Sequence, residues 1–69
     1  MSAFIVVFEW PAATKIAART ERIEAGGPEE AKLQAALLFA SETFEHGLPV
    51  RYMVFDGRGG IVFRYPDGV

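Results

Sequence analysis

Cysteine is absent from this 69-residue chain, which excludes disulfide frameworks, thiolate zinc sites and cysteine nucleophiles. Histidine occurs once, at His46, so no imidazole pair exists to share a metal ion. The two serines are Ser2, near the N-terminus, and Ser41, and neither stands in a Gly-x-Ser-x-Gly elbow that would present a nucleophile. No apolar run approaches the roughly 20 residues that a membrane span needs. The apolar N-terminal run is not preceded by a basic stretch or followed by a small-residue cleavage site, so it does not read as a secretion signal. Charge of one sign is scarce as well: 7 Lys and Arg stand against 9 Asp and Glu, a net charge of −2. Nucleic-acid domains usually carry a clear basic excess instead. The class left by these absences is one small soluble α+β domain over residues 1–69, expected in the cytoplasm, with no cofactor and no membrane partner.

What the chain does have is apolar surface: 51% of its residues are hydrophobic and 13% aromatic. That excludes a disordered tail, whose burial could not offset the entropy of ordering. Residues 3–10 (Ala-Phe-Ile-Val-Val-Phe-Glu-Trp) are β-branched and aromatic, and Pro11 stops them. Phe4, Val6, Phe8 and Trp10 alternate with Ala3, Ile5 and Val7, so both faces are apolar and the strand belongs inside a sheet.

Residues 14–25 fit two patterns. As a helix, Ile16, Thr20 and Ile23 share a stripe; as a strand, Ile16, Ala18 and Thr20 oppose Lys15, Arg19 and Glu21. A helix this short with so few large apolar residues is marginal. The first strand also needs a hydrogen-bonding neighbour, so a second strand is predicted over 14–25. Gly26-Gly27-Pro28-Glu29-Glu30 then reads as a helix start, with proline in the first turn and carboxylates at the positive end of the dipole. The helix is expected over 28–45, ended by His46-Gly47 and Pro49. Its stripe of Leu33, Ala36, Leu37, Ala40 and Phe44 is expected to face the sheet, which leaves Ala31, Ala35, Leu38 and Phe39 outside. Residues 50–55 and Ile61–Tyr65 form a hairpin around the glycine-rich Asp56-Gly57-Arg58-Gly59-Gly60. The expected fold is therefore β-β-α-β-β, a four-stranded sheet ordered 2-1-4-3 or 2-1-3-4 with one helix on one face. Charges on the second strand suit an edge position in either order.

Candidate chemistry is thin. Glu42 and His46 are spaced i,i+4 with Glu45 nearby, but a histidine at a helix end is more simply a complement to the dipole. Gly57-Arg58-Gly59-Gly60 lacks the Lys-Ser/Thr ending of a phosphate loop, and a strand follows it where a phosphate loop leads into a helix. The carboxylate pairs Glu29-Glu30 and Glu42/Glu45 are accounted for by the helix start and a solvated face. No catalytic activity is expected.

Two surfaces remain. One helix covers only one sheet face, so either Ile5, Val7 and Val62 on the far sheet face or Leu38 and Phe39 on the outer helix are the expected self-association surface. A homo-oligomer, or another protein partner, would cover it. The alternative is an RNA or single-stranded DNA surface on the last hairpin, where Arg51, Arg58 and Arg64 accompany Tyr52 and Tyr65. Three arginines against Asp56 make residues 48–65 locally basic, while residues 28–46 carry four glutamates against Lys32. The overall acidity weighs against nucleic acid.

Overall fold

The computed structural model describes residues 1–41 and 44–66. Its elements run β1 (Ser2–Glu9), a 3₁₀ turn (Ala12–Thr14), β2 (Arg19–Ala25), α1 (Pro28–Ser41), β3 (Arg51–Phe55) and β4 (Ile61–Tyr65). The strands form one antiparallel sheet in the order β2-β1-β3-β4, the second of the two expected arrangements. β1 is central, as its two apolar faces require.

The second strand begins later than its sequence pattern indicates. Pro11 and the residues after it close a 3₁₀ turn, in which the Thr14 amide and hydroxyl both donate to the Pro11 carbonyl at 3.0 and 2.6 Å. Lys15 follows with φ 59°, in the left-handed region. The Thr14 side chain thus offers the backbone a turn in place of a ladder, and pairing resumes only at Arg19, opposite Phe8.

Gly27 accepts the first helical bond, from the Ala31 amide at 3.0 Å, so Pro28 occupies the first turn as its missing N–H allows. The Glu30 carboxylate reaches back to the Gly26 N–H at 2.9 Å, in the manner of a capping box. Gln34 Nε2 donates 2.8 Å to the Glu24 carbonyl and ties the helix to β2. The helix ends at Ser41 and does not continue to residue 45. Phe44 lies outside it, Glu45 and His46 form a turn, and Gly47 takes φ 85°. Residues 42–43, in the expected last helical turn, and 67–69, in the tail, lie outside the described residues.

The helix is rotated by about half a turn from the expected orientation. Ala31 and Ala35 are fully buried, and Leu38 and Phe39 pack against the core, while Leu33 and Leu37 are 67% and 66% exposed. The reason is volume. The facing side of the sheet carries Phe4, Val6 and Phe8 from β1, Trp10 just beyond that strand, and Tyr52 and Val54 from β3, all buried. A floor so rich in aromatic rings fills the space between the layers, and alanines let the helix backbone settle onto it at native packing density. Phe44 is buried as expected, from the loop beyond the helix: its ring meets Phe8 edge-on at 5.2 Å and Trp10 at 5.8 Å. Trp10 Nε1 donates 2.9 Å to the Gly47 carbonyl, which anchors that loop.

Candidate interaction surfaces

The sheet face away from the helix has no covering layer among the described residues. The ladder aligns Arg22, Ile5, Phe55 and Ile61 in one cross-strand row and Thr20, Val7, Met53 and Arg64 in the next. Ile5, Val7, Met53 and Phe55 are half-buried by each other, and Ile61 is exposed. Around this apolar centre lies a polar rim. Glu9 and Arg51 pair at 2.6 Å at one end, and Arg22 and Glu24 pair at 3.4 Å along β2. An apolar centre with a charged rim is the usual anatomy of a protein interface.

Of the residues expected on a self-association surface, Ile5 and Val7 lie on this face. Val62 does not. The pairing shifts between Val54 and Phe55, so that Val54 faces Phe63 but Phe55 faces Ile61. The extra residue turns both Val62 and Phe63 toward the core, and Ile61 takes the outer position. Leu38 and Phe39 are likewise on the core side, the latter with its ring 5.2 Å from Tyr52 and 5.3 Å from Tyr65. Met53 and Phe55 complete the surface. The pairing of Val6 with Val54 turns Met53 and Phe55 to this face.

The arginines and tyrosines of the hairpin, close in sequence, are only partly brought together in space. Tyr52 and Tyr65 stack on each other at 5.2 Å, with 15° between their planes, on the helix side of the sheet. Tyr52 is 3% exposed, and burial, with Tyr65 beside it, raises its phenol pKa above the ordinary value. Arg51 and Arg64 project from the opposite face, Arg51 neutralised by Glu9. Arg58 sits in the turn, at the far end of the hairpin from Arg51. Tyr65, 42% exposed, lines one shallow cavity with Arg51 and Arg64, whereas Tyr52 and Arg58 stand apart from it. Asp56 organises that turn: its carboxylate accepts the Gly60 and Arg58 amides, both at 2.9 Å, and these bonds hold its pKa below the usual carboxylate range. Gly59, at φ 86°, supplies the conformation the turn needs.

Among the described residues, no helix is long and apolar enough to cross a membrane. Comparison with family models, curated proteins and solved structures finds no match to this chain.

Proposed function

We propose that this chain is a small non-catalytic protein-interaction module that pairs with a second copy of itself through the helix-free face of its sheet. The observation that supports this is the two-row apolar centre of Ile5, Val7, Met53, Phe55 and Ile61 inside a charged rim. Fully burying such side chains is worth about 1.5–3 kcal/mol each, so completing half-buried ones contributes about 1 kcal/mol apiece. Two copies then gain on the order of 10 kcal/mol, against an association cost of about 4–15 kcal/mol. At the low end of that cost about 6 kcal/mol remains, which corresponds to a weak dimer at roughly tens of micromolar or above.

Sedimentation equilibrium across that range is the test. The parent chain is expected to approach twice its 7.6 kDa mass. Val7→Asp or Met53→Lys, each folded by circular dichroism, is expected to remain monomeric because an unpaired charge at the contact costs several kcal/mol. Thr20→Asp, on the rim of the same face, is expected to pair normally. A parent chain that stays monomeric up to about 1 mM removes the proposal. A salt series separates the nucleic-acid alternative, since phosphate binding weakens steeply with ionic strength and an apolar contact does not.

A further inference from the structure

The two edges of the sheet differ in a way that the apolar face does not explain. An edge strand turns alternate N–H and C=O groups outward, where they can template another strand. β2 guards its edge with charges of both signs that neutralise each other locally, Arg19 with Glu21 at 2.8 Å and Arg22 with Glu24 at 3.4 Å. β4, reading Ile-Val-Phe-Arg-Tyr, has no acidic residue. Cations approach its edge from both faces. Arg64 projects from the outer face and has no ion pair among the described residues. Lys32 reaches over from the helix with Nζ 4.9 Å from the Phe63 ring centroid. Its own acidic neighbour, Glu29, stands 4.0 Å away and is 90% exposed. Asp56, the acid nearest the hairpin end, has its carboxylate turned onto the turn amides.

We propose that the open edge of β4 accepts an extended acidic peptide of a partner protein as a fifth, edge-added strand of the sheet. Main-chain bonding would supply the register, and Arg64 on the outer face and Lys32 on the helix side would select carboxylates at adjacent positions of the incoming strand, which point to opposite faces. The charge pattern separates this occupant from the other two. A second copy paired β4 to β4 about Phe63 places Arg64 of each chain on a diagonal about 7–8 Å from its counterpart, like charge near like charge. A nucleic-acid strand satisfies the cations but leaves the outward backbone groups of the edge unused, and of the two candidate stacking rings Tyr52 is buried while Tyr65 already stacks on it at 5.2 Å. The inference does not rest on the sheet-face dimer: the backbone groups of the edge lie outside that face, which Arg64 only borders.

The probe is a blocked seven-residue valine peptide with glutamate at two adjacent central positions, one for each face, long enough to span the roughly 17 Å of β4. Binding is read by fluorescence anisotropy and by amide shifts and exchange protection in ¹⁵N spectra. Saturable binding is expected, with perturbation centred on residues 61–65. The same peptide with lysine at those two positions should bind about tenfold more weakly, and Arg64→Glu should weaken the acidic peptide by a similar factor. A copy methylated at alternate backbone nitrogens should lose binding, because it cannot complete the ladder. No saturation up to about 1 mM, equal binding of the methylated peptide, or tighter binding of a single-stranded oligonucleotide each overturns the proposal. Perturbations confined to Ile5, Val7 and Met53 do so as well. The mass of the same samples reports the sheet-face dimer separately.

Discussion

The orientation of α1 can be tested by reversing the usual expectation that leucine is inside and alanine outside. Leu37 keeps only about a third of its surface buried, so Leu37→Ala forfeits about a third of a leucine's 1.5–3 kcal/mol, or 0.5–1 kcal/mol. Alanine's better helix propensity returns a few tenths of that, for a net loss of about 0.5 kcal/mol. The same reasoning covers Leu33→Ala. Ala35→Leu is the opposite case. Ala35 is fully buried against an aromatic floor, and three added carbons must displace rings or lift the helix, at a cost of about 1–3 kcal/mol. Each kcal/mol moves the midpoint of a domain this size by roughly 4–8 °C. Thermal denaturation followed by circular dichroism should therefore show Leu33→Ala and Leu37→Ala within about 4 °C of the parent. Ala35→Leu should melt roughly 5–20 °C lower. A Leu37→Ala variant that loses more than about 1.5 kcal/mol beside a neutral Ala35→Leu would refute the packing argument and restore the leucine stripe to the core.

Two further outcomes concern titration. Asp56 has a depressed folded pKa, so its contribution to stability is complete above the ordinary carboxylate range and is lost as pH falls through it. Urea midpoints from neutral to acid pH should show a decline that Asp56→Ala abolishes; an unchanged slope in the variant would remove the turn from the acid response. Tyr52 has a raised folded pKa, so its contribution holds below the ordinary value of 10.0 and is lost as pH rises above it. Tyr52→Phe should flatten the alkaline loss of stability, and an equally steep loss in that variant would assign the effect to other groups.

How much of this was legible in the sequence differs element by element. β1 was readable because both alternating sets of residues 3–10 are apolar, which leaves it nowhere to lie but inside a sheet. The helix start was readable because Gly-Pro-Glu-Glu satisfies cap, first turn and dipole together. The buried face of α1 was not readable from periodicity. Apolar residues occupy every side of Pro28–Ser41, so a hydrophobic stripe can be drawn on two opposite faces, and only the aromatic floor supplied by distant strands decides between them. The place of Val62 was hidden for a different reason. A bulge changes parity by one residue, and nothing in Ile-Val-Phe-Arg-Tyr marks where the extra residue falls. The start of β2 turned on a side-chain hydrogen bond from Thr14, which competes with the ladder at a cost too small for propensity to register.

The uncovered surfaces follow from dimensions. A helix is about 10–12 Å across with its side chains, whereas four strands spaced about 4.8 Å apart make a sheet close to 19 Å wide. α1 ties to β2 through Gln34 and packs on β1 and β3 through its alanines, so its width is spent before it reaches β4. Phe63 and Tyr65 are left with Lys32 and Phe39 as their cover on that side. The other face receives no helix at all, yet its centre is as apolar as a face meant for burial. Covering both the face and the β4 edge requires surface that the described residues do not supply. The face, with its balanced rim of Glu9–Arg51 and Arg22–Glu24, suits a copy of itself. The edge, flanked among the described residues by the cations Arg64 and Lys32, suits a chain of opposite charge.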